Sequence, residues 1–260
     1  MLTHPPANGP ASGADRLAAL RRDAWRDAVP CVLVLTLLSA GLGLLDGLTP
    51  WFQLKSVAVF ATAFALVLTG LKDHVPNARF GVANRVTLAR LALVALLAAL
   101  VGEPLAEADA VAWGAIVVAT AAALLDALDG PLARRSGLAS EFGARFDMET
   151  DALLTLVLCL LVLHFDKVGA WILAAGLMRY AFVLAMKPWP CLARPLPPSQ
   201  RRKAVCVAQI TSLIVCLGPI IALPWSRAIA AASLAALAAS FAIDIAWLIR
   251  HRASPLEPVP

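Results

Sequence analysis

Charge is scarce in this chain. Of its 260 residues only 15% are charged and 60% are hydrophobic, with a mean hydropathy of +0.79. That balance lies far from an ordinary soluble domain. The long apolar runs do not alternate with polar residues, which excludes a membrane β-barrel. The five cysteines, Cys31, Cys159, Cys191, Cys206 and Cys216, lack metal-ligand spacing. They read as small apolar side chains in or near apolar stretches, and no disulfide is expected. No repeat of fixed period is visible, and the halves do not read as inverted copies, the plan on which many transporters are built.

What remains is helix. Apolar runs long enough to cross a bilayer recur along the whole length, so the fold class is all-α, a polytopic membrane protein. Eight spans are expected, at about 29–48, 52–71, 84–101, 109–127, 146–165, 168–186, 203–223 and 228–249. Residues 1–28 are expected as a cytoplasmic tail. Its Pro-, Gly- and Ala-rich start reads as disordered, and Arg16, Arg21, Arg22 and Arg26 read as the polar face of a short interfacial helix. Residues 29–72 form an appended transmembrane hairpin, 84–250 a six-helix domain, and 251–260 a second cytoplasmic tail. Trp51, Trp189 and Trp225 stand near span ends, where an aromatic belt anchors a membrane protein.

Most of the 22 Lys and Arg fall on one set of alternate loops and tails, while the opposite set holds only Lys55, Lys167 and Arg227. The positive-inside rule then puts both termini and the loop 128–145 in the cytoplasm. The net charge of +5 is this bias, and it gives no argument for a nucleic-acid partner. Usage rich in Ala, Leu and Arg and poor in Lys points to a GC-rich bacterium, and so to its inner membrane.

The chemistry concentrates between Asp126 and Asp151, in D-A-L-D-G-P-L-A-R-R-S-G-L-A-S-E-F-G-A-R-F-D-M-E-T-D. Asp126 and Asp129 are spaced i,i+3, and Asp147 and Asp151 i,i+4, so each pair shares one helix face. Gly130-Pro131 is expected to end the first helix, with helix resuming near Gly143. Carboxylates at a bilayer edge are costly and mark function by default. Brought together, they would repel one another without cations between them. Their oxygens suit hard ions such as Mg²⁺ or Mn²⁺.

Asp126, Asp129, Gly130, Ala133, Arg134, Gly143, Asp147 and Asp151, at this spacing, resemble the signature of the CDP-alcohol phosphotransferases. The resemblance implies that a cytidine diphosphate carrying a lipid or small alcohol gives up CMP to a second alcohol. Asp126, Asp129, Asp147 and Asp151 are then implied as ligands of two Mg²⁺ or Mn²⁺ ions, with Asp151 also the base. Gly130, Ala133, Arg134 and Gly143 are implied on the nucleotide. So are Asn84 and Thr87 of N-R-V-T-L-A-R, which ends in Arg90 and is similar to the family's N-x-x-T-x-x-R. On the acceptor side the resemblance implies Arg179, Lys203 and Gln209. R-R-K-A-V-C-V-A-Q departs there from the family's G-K-x-x-T-x-x-Q, with Arg202 for glycine and Cys206 for threonine. Arg179, inside a span, needs an anion: an acceptor phosphate, or else a structural acid such as Asp244.

The implied reaction moves a phosphatidyl group from CDP-diacylglycerol to an alcohol, for example glycerol 3-phosphate or inositol phosphate. The reverse arrangement, a small CDP-alcohol donating to diacylglycerol, is the alternative within the family, and a membrane transporter the alternative outside it. Membrane lipids and a second copy of the chain, as a homodimer, are the implied partners.

Overall fold

The structure, a computed structural model, describes residues 13–43, 48–75, 79–104, 108–136 and 140–251, excepting the side chains of 127–136. The described residues form α-helices and short 3-10 turns, with no strand. The helices are α1 (Gly13–Gly43), α2 (Phe52–Gly70), α3 (Val82–Leu100), α4 (Ala108–Ser136), α5 (Glu141–His164), α6 (Leu173–Ala185), α7 (Gln200–Leu217) and α8 (Leu223–Arg250). Five described segments are long and apolar enough to cross a membrane: Gly13–Gly43, Phe52–His74, Val82–Leu100, Ala108–Asp126 and Leu223–Arg250. The protein is an all-α polytopic membrane protein. The other helices fall short for local reasons. The first turns of α5 carry Glu141, Arg145, Asp147, Glu149 and Asp151, α7 opens on Arg201, Arg202 and Lys203, and α6 is only 13 residues long.

Contacts divide the chain into two compact units, residues 1–99 with 121–150, and residues 100–120 with 151–260. In the first, α1 and α2 pack together. Leu20, Ala24, Ala28 and Leu35 are buried on α1, and Phe52, Phe60 and Phe64 on α2. Trp25 meets Phe64 edge-on, with ring centroids 5.0 Å apart. The second half of α3, apolar on all sides, is buried nearly all round. In the second unit α7 packs on α8. The Lys167 ammonium donates to the carbonyls of Gly218 (3.1 Å) and Ile221 (3.3 Å) at the turn joining them.

Several boundaries differ from those expected. The basic segment before residue 29 is not a separate interfacial helix: α1 is continuous from Gly13 through Pro30. Residues 1–12, read as disordered, lie outside the described residues. Gly130-Pro131 does not end a helix either, since α4 runs on to Ser136. Proline removes one backbone donor, and membrane helices tolerate it where neighbours satisfy the freed carbonyl. α5 starts at Glu141, just before Gly143, because Ser140 caps it: the Ser140 hydroxyl oxygen accepts the Gly143 N–H at 3.0 Å. α7 stops at Leu217 because Gly218-Pro219 cannot continue it, and Pro in its first turn starts α8.

Candidate active site

The start of α3 lies against the start of α5. Gly81 takes a φ of +89° just before Val82, a turn open to glycine. Asn84, one turn in, is 5% exposed, and its amide nitrogen donates to the Phe80 carbonyl at 2.5 Å. A Cβ on Gly143 would stand 2.9 Å from the side-chain Oδ1 of Asn84. A methyl group at 143 would have to displace the buried Asn84 side chain. Phe80, Phe142 and Phe146 fill the space beside them, with ring centroids 6.1 to 6.4 Å apart. Thr87 is buried, and its hydroxyl donates to the Ala83 carbonyl on its own helix.

Phe142, Phe146 and Thr150 form the buried stripe of α5, and Asp147 and Asp151 follow one residue behind it, half-buried. Glu149 is exposed on another side. From α4 comes Asp126. One carboxylate oxygen from each of Asp126, Asp147 and Asp151 lies within 4.8 Å of the others, Asp151 following Asp147 by one turn of the uninterrupted α5. Arg90 of α3 enters this group with its side chain 1% exposed. Its Nη1 lies 2.9 Å from Asp126 Oδ1 and 2.5 Å from Asp147 Oδ1. The two aspartate side chains keep 32% and 38% exposure, so the cluster is open on one side while its arginine is sealed. Among the described residues the group holds one guanidinium and three carboxylates, an excess of negative charge that suits a divalent cation. The residues present therefore fit Mg²⁺ or Mn²⁺.

A model of the CDP-alcohol phosphatidyltransferase family matches residues 80–244. The chain belongs to that family. No curated protein and no solved structure matches it significantly. Membership makes the protein a phosphotransferase of CDP-alcohols, an enzyme of phospholipid biosynthesis. The family's use of divalent metal agrees with the carboxylate cluster. α1, α2 and His74 lie outside the matched segment.

The other residues expected in a CDP-alcohol phosphatidyltransferase site are placed as follows. Asp129, Gly130, Ala133 and Arg134 belong to the helical backbone of α4, with their side chains outside the described residues. Arg179 is half-buried on α6. Lys203 is exposed and lines an open groove of about 700 Å³ along α7, with Ala204, Val207, Ala208 and Thr211. Gln209 is on a different face of the same helix, 1% exposed, and among the described residues neither atom of its amide has a hydrogen-bond partner. Lys203 and Gln209 are thus not brought together. Asp244, offered by the sequence as a partner for Arg179, lies within 2.5 Å of Arg201 Nη2 and 3.3 Å of Arg202 Nη1. Arg202, standing where the family has glycine, also donates to the Pro197 carbonyl.

Sequence reasoning missed what Arg90 does. It placed the residue only at the end of a motif implied on the nucleotide side. A signal was there: an arginine at the ninth residue of an apolar helix must find an anion, and the anions on offer were the motif aspartates.

Proposed function

We propose that this enzyme transfers a phosphatidyl group from CDP-diacylglycerol to an alcohol acceptor and releases CMP. The observation that carries the reading is the group of Asp126, Asp147 and Asp151 around the buried Arg90. Asp126, Asp129, Asp147 and Asp151 would hold two divalent cations, which when bound neutralise the pyrophosphate and stabilise departing CMP. Arg134 would pair with phosphate oxygens, and Gly130, Ala133, Gly143, Asn84 and Thr87 would line the nucleotide. Arg90 holds Asp126 and Asp147 in one arrangement, so that little reorganisation is needed when substrate arrives.

The acceptor oxygen forms a bond to the phosphorus that carries diacylglycerol. The bond from that phosphorus to the bridging oxygen breaks, CMP leaves with that oxygen, and the acceptor's proton passes to the Asp151 carboxylate. A phosphorylated acceptor, such as glycerol 3-phosphate or inositol phosphate, is supported by Arg179 on α6 and by the buried amide of Gln209, which has hydrogen bonds left to make. Lys203 would meet the acceptor's charge at the mouth of α7. The excess of Lys and Arg on one set of loops supports a bacterial inner membrane with both termini in the cytoplasm. A homodimer is the expected working form.

The test is CMP release by purified enzyme in detergent with CDP-diacylglycerol, Mg²⁺ or Mn²⁺ and a panel of acceptors. Release that depends on CDP-diacylglycerol, on metal and on one phosphorylated alcohol supports the reading. Release only from a small CDP-alcohol with diacylglycerol reverses donor and acceptor. Full turnover in excess EDTA removes the metal from the mechanism.

A further inference from the structure

The appended hairpin does more than anchor the chain. α2 runs directly into the 3-10 turn Leu71–His74, and His74 is 1% exposed. Its Nε2 lies 3.0 Å from the Arg79 carbonyl oxygen, and its Nδ1 lies 2.7 Å from the Ser140 hydroxyl. The protons can be assigned from the partners. A carbonyl only accepts, so Nε2 carries the hydrogen. In the neutral ring Nδ1 is then an acceptor, and the Ser140 hydroxyl donates to it. The same hydroxyl oxygen accepts the Gly143 N–H. A single imidazole thus links the backbone just before α3 to the cap of α5.

α1 grips the same peptide unit from its other side. The Phe80 N–H donates to Asp23 Oδ2 at 2.9 Å, while the carbonyl of that unit, on Arg79, accepts from His74. One turn later Asp27 pairs with Arg85 at 2.9 Å. Around the relay, Phe142 meets the His74 ring at 5.3 Å, and Gly70 lies against Phe142. The two helices so tied are those that carry Arg90 and Asp147, the pair whose 2.5 Å contact organises the carboxylates.

From this geometry we infer that His74 is a positioning residue for the carboxylate site: with Ser140 it sets where α5 starts relative to α3, and so where Asp147 stands relative to Arg90. His74 touches neither substrate nor the reacting atoms, and it acts through the cap of α5. The inference rests on the reading of the carboxylates as a divalent-metal site. The half-buried Ser140 hydroxyl, once its acceptor is lost, is free to rotate, and the cap that depends on it loosens. Partners that orient metal ligands typically change metal affinity by about 10- to 100-fold when removed. For a residue acting through a helix cap, the lower end, about tenfold, is expected.

The experiment is direct Mn²⁺ binding to the full-length protein in detergent, followed by the electron paramagnetic resonance signal of free Mn²⁺, beside melting temperatures. The variants are His74→Ala, Ser140→Ala, the double variant and His74→Asn. His74→Ala and Ser140→Ala should each weaken Mn²⁺ binding about tenfold, and the double variant no further, because both break one relay. His74→Asn, whose side-chain oxygen can take the Ser140 proton, should bind close to wild type. Asp73→Asn breaks the neighbouring exposed pair with Arg145 and should change nothing. A purely structural role lowers the melting temperature of the variants and leaves their Mn²⁺ affinity alone, which overturns the inference. Should His74→Ala not fold, Ser140→Ala and His74→Asn carry the test by the same criteria. Wild-type protein that binds no Mn²⁺ overturns the metal reading and the relay together. Wild-type protein that binds Mn²⁺ while both single variants bind as tightly overturns the relay alone.

Discussion

Replacing Arg90 by leucine isolates the electrostatics of the site. The guanidinium is sealed from water and makes short contacts with two carboxylates, at 2.9 and 2.5 Å. A charge-assisted hydrogen bond contributes about 1.5–3 kcal/mol when buried. Both aspartates are about a third exposed, so water would screen part of what is lost. A net loss of about 2–4 kcal/mol in metal-free protein is expected for the two contacts together. The leucine adds apolar contact but no charge, and Asp126 and Asp147 are left facing each other. Divalent metal should then stabilise the variant more than it does the wild type, because Asp126 and Asp147 have lost the cation they shared. At a hundredfold excess over its dissociation constant, bound metal adds about 2.7 kcal/mol, enough to offset most of the loss. The assay is thermal melting in detergent, by tryptophan fluorescence, in EDTA and across a Mn²⁺ series. Arg90→Leu should melt well below wild type in EDTA and, at saturating Mn²⁺, approach the melting temperature of metal-free wild type. An unchanged melting temperature in EDTA would show that Arg90 is not what balances the carboxylates.

Three further outcomes follow from the geometry. Asp151→Asn keeps the shape and loses the base, so transfer should fall by about 10²- to 10⁴-fold while CDP and Mn²⁺ binding largely persist; near-normal turnover would assign the base elsewhere. Gly143→Ala places a Cβ 2.9 Å from Asn84, a strain of about 1–3 kcal/mol partly offset by about 1 kcal/mol of helix propensity. It should therefore cost activity out of proportion to stability, which a kcat measured beside a melting curve will show; wild-type kcat would mean that the helices absorb the methyl group. Arg179→Ala should raise the acceptor KM strongly and leave the CDP-diacylglycerol KM nearly unchanged, and unchanged acceptor kinetics would end the case for a phosphorylated acceptor.

The class of the protein and the core of its chemistry are legible in the order of its residues. Apolar length is a one-dimensional property, because the bilayer sets a minimum run of residues whatever their neighbours do. Helical spacing likewise puts Asp147 and Asp151 on one face, whatever packs against it. Boundaries were less legible where a local rule met a neighbour. Gly130-Pro131 reads as a stop, yet α4 passes through it to Ser136, and α1 extends back to Gly13 instead of beginning at the apolar run. Which residues face one another is settled only by the folded chain. Arg90 lies 36 residues before Asp126 and 57 before Asp147, and nothing in those intervals says that one nitrogen will lie against both carboxylates. The same holds for His74, Ser140 and the Arg79–Phe80 peptide, and for Asp244, which pairs with Arg201 and Arg202. Periodicity fixes which residues share a helix face. Which faces meet depends on side-chain packing between helices, and that packing exists only in three dimensions.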